Sequence, residues 1–89
     1  MRAILTVIGR DKVGIIAGVS TKLAELNINI IDVSQTIMED YFTMMMMLSF
    51  NKQEVDFDNI RKELNALGET LGVKINVQNE EIFNTMHKL

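Results

Sequence analysis

The chain has 89 residues and no cysteine, proline or tryptophan, a length that makes one small domain and excludes disulfides and thiolate metal sites as its supports. With 47% hydrophobic and 24% charged residues it has the balance of a packed soluble domain, not of a disordered chain. The net charge of −3 argues against a nucleic-acid or anionic-lipid partner held by a basic surface. No run approaches the roughly 18 apolar residues of a membrane span, and the first residues enter strand-like alternation instead of a signal peptide. The expectation is a cytoplasmic protein with no nucleic-acid and no membrane partner. A domain of this size buries only about 60 to 65% of its unfolded surface, so association with a second copy is expected as well.

In chain order, residues 3–8 are β-branched and apolar on both faces, which predicts a central strand bounded by Gly9. Residues 9–14 read as a polar turn with two glycines. Ile15, Ile16, Val19, Leu23 and Leu26 then recur at steps of three and four, predicting an amphipathic helix that ends near Asn27. Residues 28–38 alternate as a second strand. Strict alternation places Asn29, Ile31, Val33, Gln35 and Ile37 on one face and Ile28, Ile30, Asp32, Ser34, Thr36 and Met38 on the other.

After a turn at Glu39 and Asp40, residues 41–50 form a third strand. Phe42, Met44, Met46, Leu48 and Phe50 share one wholly apolar face, the expected core side, and Tyr41, Thr43, Met45, Met47 and Ser49 share a mixed face. Phe57, Ile60, Leu64, Leu67 and Leu71 predict a second helix closed by Gly72. Residues 73–78 alternate as a fourth strand. Asn79 is then a candidate N-cap for a short tail helix, with Ile82, Phe83, Met86 and Leu89 on one side and His87 and Lys88 last. The order β-α-β-β-α-β gives an α+β, ferredoxin-like two-layer sandwich. A four-stranded antiparallel sheet carries two helices on one face, with an extra C-terminal helix.

That plait hosts many functions, so each is tested on residues. A cysteine-based metal carrier is excluded by composition. RNA-binding plaits stack bases on aromatic side chains of the central strands, and the first strand here has none. An acylphosphatase-like hydrolase would use Gly9-Arg10 to hold a phosphoryl group, but Asp11 follows directly and repels one. The run Met44 to Met47 offers soft thioethers, yet strand alternation lets only two of them point the same way, which suits a core and an interface better than a metal. His87 is read as a surface residue favouring the end of the tail helix. No catalytic residue, metal or cofactor is expected.

What remains is the loop before the first helix. Free backbone N–H groups of Val13, Gly14 and Ile15 would face an anion at this helix start, and Gly14 lacks a Cβ that would hold a ligand off. Asp11 could accept from an ammonium group, so the corner offers complementary groups for an amino acid. A structural account stands beside this one: Asp11 as a plain N-cap, and Gly14 as a point of close approach between helix and sheet.

The segment from Gly9 to Val19, followed by Leu26-Asn27-Ile28-Asn29-Ile30, resembles the ACT domain, and the likeness in element order runs over residues 1–78, leaving 79–89 as a helical tail packed on the same domain. More narrowly, the chain is similar to the short stand-alone bacterial ACT proteins related to the regulator of glycine cleavage. The resemblance implies a ligand-binding, regulatory, non-enzymatic homodimer that acts on a client protein. In it Asp11 and Gly14 line the pocket for a small-molecule effector, beside the N–H groups of Val13 and Ile15 already singled out, and Asn29 closes it from the neighbouring subunit. Val13 stands where that family usually carries proline, which leaves the loop's φ unfixed. Asp11 stands where several serine-binding members carry Asn, which turns the acid toward an effector's ammonium group. The mixed sheet face, with Met45, Met47, Ile31, Val33 and Ile37, is the expected surface for pairing.

Overall fold

The computed structural model describes residues 2–10, 14–50 and 56–80. Strand β1 (Arg2–Arg10) leads to helix α1 (Ile15–Glu25), then to strands β2 (Ile28–Met38) and β3 (Tyr41–Phe50), helix α2 (Phe57–Leu71) and strand β4 (Lys74–Asn79). The predicted order holds. β1 is longer than its apolar run, since Gly9 and Arg10 continue the pairing with Phe42 and Tyr41 instead of belonging to a turn. β4 starts at Lys74, one residue later than expected, and Asn79 is its last residue, directly before Glu80, which is helical. The tail positions 81–89, on which the expected C-terminal helix falls, lie outside the described residues.

The sheet is antiparallel throughout, in the order β2-β3-β1-β4. β1 is therefore central, as its two apolar faces predicted. Ala3, Leu5 and Val7 of β1, the alternate residues Phe42 to Phe50 of β3, and Ile75 and Val77 of β4 form one buried layer. Onto it pack Ile15, Val19 and Leu23 of α1 and Ile60 and Leu64 of α2, in a single core. Each of these larger side chains contributes about 1.5 to 3 kcal/mol by leaving water.

The helix ends follow local chemistry. The N–H of Asn59 donates to the Asp56 carboxylate at 3.1 Å, which satisfies one of the donors left open at the start of α2. At the other end Gly72 takes φ 74°, and the N–H groups of Gly72 and Val73 close onto the carbonyls of Glu69 and Gly68. Asn27 ends α1 in the same left-handed region, at φ 61°. A salt bridge ties the helices to each other: Lys22 Nζ lies 2.6 Å from Glu63 of α2 and 3.8 Å from Glu25. The hydrogen bond to Glu63 is the main reason that the Lys22 ammonium titrates above its usual 10.5.

Strand β2 departs from the expected alternation. A β-bulge between Ile30 and Asp32 takes Ile31 out of the ladder, so Ile30 stands opposite Leu48 and Asp32 opposite Met47. Beyond the bulge Val33, Gln35 and Ile37 pair with Met46, Met44 and Phe42, on the helix side of the sheet. Asp32, Ser34, Thr36 and Met38 pair with Met47, Met45, Thr43 and Tyr41 on the open side. The mixed face therefore does not carry Val33 and Ile37, and Ile31 sits in the bulge. That face is more polar than alternation suggested.

Candidate functional site

Helix α1 begins at Gly14, which takes φ 92°, a conformation that glycine reaches without a steric penalty. A Cβ built on Gly14 would meet nothing within 4 Å. Helix and sheet do not approach each other here, and the glycine serves the backbone turn. The close approaches lie elsewhere. A Cβ on Gly9 would stand 2.7 Å from Val73 Cγ1, and one on Gly68 2.8 Å from the Val73 carbonyl oxygen.

The first intrahelical bond runs from the N–H of Gly18 to the carbonyl of Gly14, so the N–H groups of Ile15, Ile16 and Ala17 have no acceptor inside the helix. The side chain of the capping residue supplies none, and the first turn holds no acidic residue. The partial positive charge of the helix start is thus left for a ligand, for solvent or for the preceding loop. Of the predicted site residues, Gly14 is exposed at this terminus. Ile15 turns its side chain into the core at 2% exposure, so only its backbone is offered. Asp11 and Val13 lie outside the described residues.

Asn29 is exposed and pairs with Ser49, which in turn pairs with Arg2. It therefore marks the end of the sheet where β1 begins, whereas Gly14 follows Arg10 at the opposite end. Eight strand steps of about 3.3 Å separate those ends by about 26 Å, and within one chain Gly14 and Asn29 do not meet. Arg10, the cation a phosphoryl-binding loop would use, lies 3.8 Å from Asp40 across the exposed β2–β3 turn.

Sequence reasoning missed how bare the edge strand is. Every residue from Asn29 to Asp40 is exposed, and on the helix side Val33 and Ile37 keep 45% and 54% of their surface in water. Ile16, expected in the core, is exposed on α1. A long, apolar edge strand with one charged residue, Asp32, is an open template for pairing. Among the described residues no cluster of acidic or histidine side chains could hold a metal ion, and no helix is long and apolar enough to cross a membrane. The run Met44 to Met47 divides as alternation requires: Met44 and Met46 are buried, Met45 is exposed and Met47 half-buried.

A four-stranded plait with a glycine-started first helix and a bare second strand defines the ferredoxin-like class in its βαββαβ form. The ACT domain family matches residues 2–78, and the chain belongs to that family. A UPF0237 protein of Listeria innocua is 66% identical over 89 residues, with all of both chains covered. An ACT domain protein from Streptococcus pneumoniae superposes with a TM-score of 0.85 at 54% identity, over 93% of each chain. A presumed glycine cleavage system transcriptional repressor shares the fold, with a TM-score of 0.75 at 22% identity, over 86% of this chain and 44% of its own.

Proposed function

We propose that this ACT domain is a non-enzymatic regulatory module. It works as a homodimer, binds an amino acid at residues 11–15, and passes the state of that site to a client protein. The start of α1, where Gly14 brings no side-chain cap, suits the effector's carboxylate, and Asp11 is the group proposed for its ammonium. The observation that carries the reading is the bare edge of β2. Antiparallel pairing of two such edges about a twofold axis would run one strand's beginning past the other's end. The partner subunit's Asn29 would then stand at the end of the sheet where Gly14 starts its helix. A site split in this way makes effector binding and pairing one equilibrium, the requirement for a ligand to shift a population between two states.

Thermal melting against a panel of amino acids, with sedimentation on the same samples, tests this. A ligand at 100 times its dissociation constant adds about 2.7 kcal/mol, and Asp11→Ala or Asn29→Ala should abolish the shift. A monomer at micromolar concentration with and without every amino acid would refute the reading. A second reading, a ligand-free interaction module, is favoured by the apolar character of Val33, Ile37 and Met38, which drives association with no effector present. It predicts a stable dimer whose melting no amino acid changes.

A further inference from the structure

The open face of the sheet is unevenly shielded. Ile4 lies on that face, between Ala3 and Leu5 of the core layer, yet it is only 7% exposed, whereas Ile8 on the same face of the same strand is 48% exposed. The gradient runs across the sheet. Met47 and Gln78, paired with Ile4, are half-buried, while Thr43 and Lys74, paired with Ile8, are exposed. Both helices pack on the opposite side, and among the described residues no helix or strand covers the open side.

The chain itself leaves the sheet at the shielded end. Asn79, the last residue of β4, pairs with Ala3, and the next residue, Glu80, places Oε2 3.4 Å from Arg2 Nε. Arg2 alternates with Ala3 and Glu80 with Asn79, so this pair stands on the open face and the chain leaves β4 beside the shielded row. A pit of about 170 Å³ lies further along the face, lined by Ile4, Asp32, Ser34, Met45 and Met47.

We propose that the occupant of this face is the chain's own C-terminal segment, residues 81–89, lying from β4 across Ile4 and Met47 to the pit beside Asp32. The inference goes beyond the regulatory reading and does not depend on it. Ile82, Phe83, Met86 and Leu89 supply apolar side chains at the spacing of one helical side, and Lys88 supplies a positive charge for the end that would reach Asp32. Nine helical residues measure about 13 Å, against about 14 Å for the three strand spacings from β4 to β2. The shielding of Ile4 arises within a single chain, in the rows beside Glu80, and so does not call for a second copy. An occupied open face cannot stack against another sheet, which leaves the β2 edge as the surface for pairing.

The natural chain has no cysteine, so Ile4→Cys and Ile8→Cys each introduce a single thiol whose reaction with an aromatic disulfide reagent can be timed. The Ile4→Cys thiol should react at least about tenfold more slowly, at every protein concentration. Adding Phe83→Asp, or ending the chain after Glu80, should bring its rate to that of the Ile8→Cys thiol, with circular dichroism confirming the fold. Phe83→Asp in the full chain keeps the test valid if the shortened chain does not fold. Equal rates in the two parent variants, or a slow rate that survives Phe83→Asp, would overturn the proposal. Protection that fades on dilution would overturn it too, because a second copy would then be the cover.

Discussion

Met45 and Met46 are chemically identical neighbours on β3, and the fold assigns them opposite fates: Met46 is 1% exposed in the core, and Met45 is 40% exposed on the open face. Truncating Met46 to alanine removes buried thioether and methylene groups and leaves a cavity among Leu5, Met44 and Leu48, at a cost of about 3 kcal/mol within the usual range for Met→Ala in a core. Truncating Met45 forfeits only part of one side chain's burial and opens onto solvent, so about 1 kcal/mol is the expected loss. The difference of about 2 kcal/mol corresponds to roughly 8 to 16 °C in melting temperature for a domain of this size. Parallel thermal and urea melts of Met46→Ala and Met45→Ala measure it, with an unchanged urea slope confirming that the denatured state is the same. Equal losses in the two variants would mean that the alternation of β3, and the side of the sheet on which the helices lie, has been misassigned.

Two further outcomes follow from the packing. Gly9→Ala places a methyl group against Val73 at a distance that neighbouring atoms cannot hold, so it should cost about 1 to 3 kcal/mol. The Val73→Ala background should return part of that loss in a double-mutant cycle, because Val73 Cγ1 is the nearest obstacle. For Lys22 the sign comes from a raised folded-state pKa: the stability it contributes is fully present below its ordinary 10.5 and is lost as pH climbs through the higher folded value. Lys22→Met should therefore be less stable than the natural protein by a constant margin from neutral pH to about pH 10, and the margin should shrink above that. A margin that grows in alkali would disprove the assignment. Its size should be modest, because Glu63 and Glu25 both reach into solvent.

Much of the architecture is legible in the residue pattern, and where it is not the reason is specific. The core face of β3 follows from five apolar residues at alternate positions, and the end of α2 follows from Gly72, since few other residues accept φ 74°. The bulge in β2 carries no such signal, because Ile30 and Ile31 are adjacent and either can serve as a core residue. A parity conflict nevertheless announces it. The two-residue turn pairs Met38 with Tyr41 on the open face, and unbroken alternation would then put Ile28 on that face as well, although Ile28 is buried opposite Phe50. Eleven residues of β2 against ten of β3 leave one residue over.

At the candidate site, a glycine at 14 is readable as a special position, but its reason is φ 92° and not a close approach. The distance between Gly14 and Asn29 is a matter of topology: a strand followed by a returning helix always brings the next strand's start back to the first strand's beginning. Residue types near each other in a motif therefore stand at opposite ends of the sheet, and only a second subunit can unite them.

The extra residue at Ile31 also bears on how this chain tolerates changes of length. Losing one residue inside a strand ordinarily turns every later side chain to the wrong face. Here, removal of Ile31 would delete the unpaired member and leave the pairs from Asp32 with Met47 to Met38 with Tyr41 as they stand. The middle of this edge strand thus holds a position at which a homologous chain could be one residue shorter and keep the same two faces.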